Sequence, residues 1–159
     1  MQNVATTRPA SSGDAREESG SGTQHVLFTV KGSVYALPLG DVLEVIEPEW
    51  WVRIPHAAPW VEGLLYHHGD PLVVASGSAL LDGVKTSGDD TASVLRLKAG
   101  GMKFGILVDR IAGMWRSKSP ATPCRDATFV KAVWDRNGKL VSLIDLDALL
   151  DRASRIFTA

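Results

Sequence analysis

The stretch Trp60-Val-Glu-Gly-Leu-Leu-Tyr-His-His-Gly-Asp-Pro-Leu-Val-Val74 contains two apolar runs separated by a polar turn. Valine and leucine dominate both runs, which predicts two β-strands. A lone glycine, Gly63, interrupts the first run and indicates a β-bulge or a close approach of another backbone segment. The tripeptide Gly69-Asp-Pro71 predicts the turn between the strands. Next to that turn stands His67-His68, the most chemically conspicuous pair in the chain.

Short apolar runs separated by turn residues continue along most of the chain. The runs at residues 25–30, 34–38, 92–98, 104–111, 129–134 and 140–144 predict further strands. Lys31-Gly-Ser33 and Asp135-Arg-Asn-Gly138 predict hairpin turns, the second through its Asn-Gly pair. About nine strands with few helical patterns between them indicate an all-β barrel architecture and not a βαβ fold.

Helical patterns are short, except at the C-terminus. Asp145 predicts an N-cap for a helix over residues 145–155, and the apolar stripe of that helix comprises Leu146, Leu149, Leu150 and Ala153. Asp41 predicts the cap of a helix of one or two turns that begins near Val42, before the chain returns to a strand. A further short helix is predicted within residues 75–82.

Composition limits the classes of function. The 159 residues carry a formal net charge of −1, which argues against a nucleic-acid partner. No apolar run approaches the ~20 residues that span a bilayer, so no membrane insertion is expected. The start of the chain lacks the apolar segment of a signal peptide. A single cysteine, Cys124, excludes an intrachain disulfide, and we predict a soluble cytoplasmic protein.

Domain organisation follows from the same composition. Residues 1–24 are rich in serine, glycine, threonine and charged side chains, which predicts a disordered N-terminal tail. Length leaves one domain, or two small lobes of one domain, over residues 25–155, and residues 156–159 are expected to form a short C-terminal tail.

The histidines are the main candidates for chemistry, and the pattern favours none. Neighbouring strand residues point to opposite faces, so His67 and His68 are not expected to reach one ion, and no zinc-ligand spacing is present. Asp109 ends an apolar strand, where a buried acid is less expected than one that leaves the core. No segment assembles a nucleophile, a base and an oxyanion site. We therefore predict a binding module with no catalytic residue, no metal and no cofactor.

Six segments occur in an order and spacing that are typical of one family. They are Phe28-Thr-Val-Lys-Gly-Ser-Val-Tyr-Ala-Leu-Pro-Leu39, Val42-Leu-Glu-Val-Ile46, Arg53-Ile-Pro55, Gly63-Leu-Leu-Tyr-His-His-Gly69, Gly105-Ile-Leu-Val-Asp-Arg-Ile111 and Gly138-Lys-Leu-Val-Ser-Leu-Ile-Asp-Leu-Asp-Ala-Leu-Leu150. Together they resemble the CheW-like domain of bacterial chemotaxis coupling proteins, over residues from about 25 to 151. The resemblance implies two small five-stranded SH3-like β-barrel lobes that share a hydrophobic core, with short helices and a C-terminal helix.

The resemblance also implies a function. Members of the family are non-enzymatic adaptors that couple the cytoplasmic tip of chemoreceptors to the regulatory domain of a CheA-type histidine kinase, in chemotaxis or in surface and pilus motility. The protein would then work in the cytoplasm, at membrane-associated receptor arrays. Two alternatives are an accessory CheW-like protein that binds one of these partners and, in a different class, a small metal- or ligand-binding β-barrel protein.

Matched positions imply a protein interface. The expected interface residues of the first lobe are Val42, Glu44, Val45, Gly63, His68 and Gly69. Three further candidates, Phe104, Ile106 and Val108, lie on a central strand where groove and core roles are hard to separate.

The chain departs from the family pattern in the predicted interface. The family has Asn-Leu-Arg-Gly and then Pro-Val-x-Asp-Leu, whereas this chain has Tyr66-His-His-Gly69, followed by Val73 and Ser76 at the proline and aspartate positions. His68 stands at the arginine position, and we predict a pair with Glu44 that is charged only while His68 is protonated. Weaker or altered partner binding would follow. Simple packing of His68 on Tyr66 is the alternative.

Overall fold

The computed structural model describes residues 22–48, 51–83, 92–124 and 129–158. The strands are β1 (Gln24–Val30), β2 (Ser33–Pro38), β3 (Val42–Ile46), β4 (Val61–His67), β5 (Asp70–Ser76), β6 (Ser93–Leu97), β7 (Phe104–Val108), β8 (Arg110–Arg116), β9 (Thr122–Pro123), β10 (Val130–Arg136) and β11 (Lys139–Ile144). A 3-10 helix (Leu39–Asp41) and two α-helices, α1 (Gly77–Asp82) and α2 (Leu146–Thr158), complete the described elements. No helix among the described residues is long and apolar enough to cross a membrane. The predicted disordered tail lies outside them up to residue 21, and Gln24 already belongs to β1.

The strands form two mixed sheets. In the sequence, all strands of one sheet are inserted between β2 and β8 of the other. The terminal lobe has the strand order β8-β1-β2-β11-β10-β9, and the inserted lobe has the order β3-β6-β7-β5-β4. Each sheet contains one parallel pair, β2 with β11 and β5 with β7. The predicted mainly-β fold of two lobes with short helices and a C-terminal helix is confirmed. The terminal lobe has six strands and not five, because the two-residue β9 pairs with β10.

Buried apolar side chains form three groups. The interlobe core joins both lobes and the helices, and comprises Val26, Phe28, Val30, Tyr35, Leu37, Trp60, Ala75, Leu80, Leu81, Leu95, Leu97, Phe104, Ile106, Val108, Ile144, Leu146, Leu149 and Ala153. A second group fills the inserted lobe: Ile46, Leu65, Leu72, Val74, Val94 and Leu107. A third fills the terminal lobe: Leu27, Val34, Ala36, Trp134 and Val141.

Strand β7 is buried on both faces. Phe104, Ile106 and Val108 point into the interlobe core, whereas Leu107 points into the inserted lobe, as the two-residue period of a strand requires. Double burial explains why the strand reads as a continuous apolar run. The three interlobe side chains are 2%, 0% and 1% exposed. A partner would reach these side chains only if the lobes separated, and their assignment to an interface stays a prediction.

Three hairpins turn on two residues that both have positive φ. The pairs are Lys31-Gly32 (φ 51° and 80°), His68-Gly69 (53° and 82°) and Asn137-Gly138 (55° and 83°), which is the pattern of type I′ turns. The predicted turn at residues 69–71 is therefore displaced, because Asp70 and Pro71 already belong to β5. Pro71 is tolerated there because β7 pairs with β5 only from Val73 onwards.

The helix predictions are confirmed in part. Asp145 caps α2, since its Oδ1 accepts from Ala148 N at 3.3 Å. Ser76 caps α1 in the same way, accepting from Ala79 N at 3.1 Å. The prediction of a helix from Val42 is wrong, because the helical turn ends at Asp41 and β-branched residues continue directly as β3.

Gly63 lies at a bulge in β4, as its isolation in an apolar run predicted. The register of β4 against β5 shifts between Val61 and Gly63. A Cβ at Gly63 would stand 2.3 Å from the carbonyl oxygen of Val52, and φ is 155°. Val52 pairs there with Leu64 through two backbone hydrogen bonds of 2.8 Å. The glycine thus lets the connector before β4 pack against the strand.

We expect Gly63→Ala to destabilise the protein by about 2 kcal/mol or more, because the new methyl group collides with the backbone carbonyl of Val52, which cannot move aside as a side chain can. Gly101→Ala is the matched control, since a Cβ at Gly101 has nothing within 4 Å. Urea denaturation of both variants measures the difference. A Gly63→Ala variant as stable as Gly101→Ala would contradict the role of the bulge.

His25 is a buried histidine at the start of β1. It is 5% exposed, and its ring stands edge-on to Trp134 with centroids 5.0 Å apart. Burial lowers the pKa of His25, the positive charge of Lys131 lowers it further, and a hydrogen bond with the backbone of Thr23 acts in the opposite direction. The folded protein therefore favours the neutral imidazole.

Acid is expected to destabilise the protein through His25. The unfolded chain takes up this proton near pH 6.5, whereas the folded chain takes it up only at lower pH, so the free energy of unfolding falls as pH drops below about 6.5. In urea denaturation at pH 7.5 and 5.5, His25→Phe should lose less stability than the wild type. His56→Asn, at an exposed histidine, should keep the wild-type pH dependence. Equal losses in His25→Phe and the wild type would contradict this account.

Candidate functional site

The edge strands of the inserted lobe, β3 and β4, approach each other and leave an open seam. Glu44 on β3 and His67 on β4 bridge it, with 2.7 Å between Oε2 and Nε2. An ionised carboxylate only accepts hydrogen bonds, so the His67 Nε2–H donates. A cleft of about 330 Å³ lies in the seam. Its lining comprises Val45, Ile46, Glu47, Pro48, Leu65, Tyr66 and His67.

Glu44 therefore pairs with His67 and not with His68, which corrects the predicted pair. His67 is the last residue of β4 and directs its ring across the seam, whereas His68 already belongs to the turn. Arg96 lies on the other side of the carboxylate, with Nη1 3.7 Å from Glu44 Oε1, because Glu44 and Arg96 are paired across β3 and β6. The carboxylate thus faces two basic groups, of which the arginine is always charged.

The rings of His67 and His68 lie together. Their centroids are 4.1 Å apart, with 57° between the ring planes. The expectation that the pair would diverge was wrong, because it assumed strand geometry at both residues. His68 has φ of 53°, and this left-handed conformation turns its side chain back towards its neighbour. One nitrogen of each ring and one carboxylate oxygen of Glu44 lie within 4.8 Å of one another.

Exposed apolar side chains flank the seam. Leu43 and Val45 on β3 are 54% and 46% exposed, and Tyr66 on β4 is 54% exposed. Sequence reasoning identified Val45 but not the other two. The period of a strand was the available signal for Leu43, since residues two apart share a face.

A second, charged cleft adjoins the histidines. It has a volume of about 210 Å³ and is lined by His67, His68, Asp70, Pro71, Leu72, Arg96 and Lys103. Lys103 Nζ lies 3.0 Å from Asp70 Oδ2. The hydrogen bond and the positive charge of Lys103 lower the pKa of Asp70. Besides His67, the second cleft therefore brings four ionisable side chains to one place, namely His68, Asp70, Arg96 and Lys103.

The other predicted interface residues are scattered. Val42 is half-buried against the interlobe core, Gly63 is buried, and Gly69 is exposed with open space around it. The remaining six are the three buried β7 residues and the seam residues Glu44, Val45 and His68. The seam therefore brings together three of the nine candidates, and the interface assignment itself stays a prediction.

Two candidates for chemistry lie away from the seam, Asp109 and Cys124, and both take part in backbone hydrogen bonds to a strand. Asp109 Oδ2 accepts from Lys31 N at 2.7 Å, and Asp109 N donates to Thr29 O at 2.9 Å. These bonds attach the end of β7 to the β1–β2 hairpin. Cys124 is a half-buried free thiol directly after β9, and its backbone N donates to Lys131 O on β10 at 3.0 Å.

A sequence model of the family described as the CheW-like domain matches residues 24–154. The chain belongs to the CheW-like domain family. The matched region begins with β1 and includes both lobes and most of α2, and it agrees closely with the predicted domain of residues 25–155.

Two relatives place this CheW-like chain among known proteins. It is 23% identical over 153 residues to a chemotaxis protein CheW of Helicobacter pylori, and the match covers 91% of this chain and 92% of that protein. Its structure is similar to that of the scaffolding protein TtCheW from Thermoanaerobacter tengcongensis, with a TM-score of 0.70 and 19% identity. That comparison covers 77% of this chain and 88% of the other, and it shows a common fold.

In this CheW-like protein, a double-mutant cycle should detect the bridge across the seam. We expect Glu44→Gln and His67→Gln to show a coupling energy of about 0.5 kcal/mol in urea denaturation, because both side chains are partly exposed and solvent weakens their attraction. The pair Glu44→Gln and His56→Gln is the control and should show none. Zero coupling in the first cycle would mean that the bridge does not hold the two edges.

Proposed function

We propose that this protein is a non-enzymatic adaptor that couples the cytoplasmic tip of chemoreceptors to the regulatory domain of a CheA-type histidine kinase. The signalling pathway would be chemotaxis, or a related form of surface or pilus motility. The observation that carries the proposal is the CheW-like match over residues 24–154. It includes both lobes and the core between them, so the whole scaffold of the family is present and not one lobe alone.

The character of the seam favours a protein partner. Leu43, Val45 and Tyr66 are each about half exposed, and aromatic and apolar side chains of this kind supply the anchors of protein interfaces. Charged groups lie beside them, with Glu44 and Arg96 at the rim. Apolar anchors with a polar rim are the usual anatomy of a specific interface.

The backbone at the seam adds a second means of recognition. β3 and β4 are the two edge strands of their sheet, and an edge strand offers unpaired backbone donors and acceptors. On β4 the Val52–Leu64 bonds occupy part of that edge. An extended segment of a partner can pair with such an edge, while its side chains contact Val45 or Tyr66. The clefts of about 330 and 210 Å³ lie at or below the lower end of typical small-molecule sites, which argues against a dedicated ligand pocket.

An accessory role is the second candidate, in which the protein binds only one of the two partners. The specific observation behind it is the substitution at the seam: histidines stand where the family pattern has leucine and arginine. Here Glu44 is occupied by a contact within the chain, to His67. A partner group that would pair with this carboxylate must compete with that contact.

Binding experiments with the two proposed partners separate these functions. We expect the chain to bind both a purified receptor-tip fragment and a kinase regulatory domain in isothermal titration calorimetry. Val45→Glu should weaken binding to at least one of them by about tenfold or more, because a charge would be buried at an apolar contact. Leu140→Glu is the matched control, since Leu140 is 62% exposed on β11 of the terminal lobe.

The outcomes are distinct. Binding of only one partner would favour the accessory role. Binding of neither would overturn the adaptor proposal and favour a different class, such as a small metal- or ligand-binding protein. Equal weakening by Val45→Glu and Leu140→Glu would mean that the seam is not the contact surface.

A further inference from the structure

We propose that Glu44, His67 and His68 form a binding site for a divalent transition-metal ion, for which zinc is the best fit. This inference goes beyond the proposed adaptor function and does not depend on it. It also departs from the sequence-based expectation of no metal, which relied on the two histidines pointing apart.

The geometry supplies three ligand atoms at one point. One atom from each residue lies within 4.8 Å of the others, among the described residues. A tetrahedral zinc ion with bonds of about 2.0–2.1 Å holds its ligands roughly 3.3 Å apart. The Glu44–His67 distance of 2.7 Å is shorter than this, and no separation among the three atoms exceeds 4.8 Å, so small side-chain rotations would bring them to the required spacing.

The backbone fixes two of the ligands. His67 closes β4 and is paired with Asp70 across the hairpin, while His68 occupies the first position of the type I′ turn with φ of 53°. This turn geometry places adjacent rings 4.1 Å apart, which a continuous strand would not do. Glu44 comes from the opposite edge of the sheet, so the site requires the folded lobe.

The donor set indicates the class of metal. Two imidazoles and one carboxylate are typical ligands of zinc and are also compatible with copper, nickel and cobalt, whereas magnesium and calcium prefer oxygen ligands alone. His68 is exposed and Glu44 and His67 are partly exposed, so an ion has a direct path from solvent. A fourth position remains for water or for a side chain of a partner.

Neighbouring charges permit a cation but do not attract one strongly. Arg96 lies near Glu44, with 3.7 Å between Nη1 and Oε1, and Lys103 lines the adjoining cleft. Asp70 pairs with Lys103 at 3.0 Å, which offsets that lysine. A bound ion would replace the hydrogen bond between Glu44 and His67 with two metal–ligand bonds, and would join the edges β3 and β4 more firmly.

Zinc titration of the full-length protein tests the site. After treatment with a chelator, the wild-type chain should bind one equivalent of zinc chloride in isothermal titration calorimetry, and zinc should raise its melting temperature. His68→Asn should weaken zinc binding by about tenfold or more, because one ligand is lost. Asparagine tolerates the left-handed backbone of residue 68, so the variant keeps the turn.

His56→Asn is the matched control. His56 is also exposed and also has a positive φ, 62°, but it lies outside the cluster. This variant should bind zinc as the wild type does and should show the same thermal shift. Cobalt substitution should give tetrahedral absorption bands in the wild type and the control and not in His68→Asn.

Three results would overturn the proposal: no saturable binding of one equivalent, unchanged affinity in His68→Asn, or equal losses in His68→Asn and His56→Asn. Circular dichroism of the metal-free variants separates lost ligation from misfolding, and Glu44→Gln provides a second variant that alters a different strand. The titration contains no partner protein. Failure here therefore leaves the adaptor proposal intact, and failure of partner binding leaves the metal site intact.

Discussion

The two sheets pack against one shared apolar core, and the rest of the architecture depends on that contact. Phe28 and Tyr35 stack in it with ring centroids 5.8 Å apart, and β7 contributes three fully buried side chains from the other lobe. Burial of each such side chain is worth about 1.5–3 kcal/mol, so separation of the lobes would expose a face that neither lobe can cover. Asp109 reinforces the contact by joining the end of β7 to the first hairpin. With stability concentrated between the lobes, the outer strands are free to carry other functions.

The seam lies between two such outer strands, β3 and β4. The inserted lobe brings its edge strands together without a backbone ladder between β3 and β4 and leaves the bridge to side chains, Glu44 and His67. Those side chains can exchange a contact within the chain for one to an ion or to a partner, at a cost far below that of disturbing the core. The exposed Val45 and Tyr66 lie at the same place. Substitution here therefore leaves the core largely undisturbed.

Sequence reasoning succeeded where a residue type has one structural meaning. Gly63 indicated a bulge or a close approach and has both, and Asp145 indicated a cap and provides it. The sequence-based predictions failed where tertiary geometry decides the direction of a side chain. A left-handed φ at His68 reverses the direction that strand alternation assigns, so the partner of Glu44 and the grouping of the histidines were not predictable from spacing. For the β7 residues, groove and core roles were hard to separate, because an apolar strand looks the same in sequence whether a partner or a second lobe covers it.

The insertion of one lobe within the other also has a consequence for the order of folding. Strands β3 to β7 are contiguous in the chain, from Val42 to Val108, whereas β1 must pair with β8, which begins at Arg110. Closing so long a loop carries an entropic cost that falls once the intervening chain is compact. The inserted lobe thus acts as an internal template that brings the two ends of the terminal sheet together. During synthesis, that sheet cannot be completed until β10 and β11 have left the ribosome, and until then Ile144 and helix α2 cannot complete the interlobe core around β7.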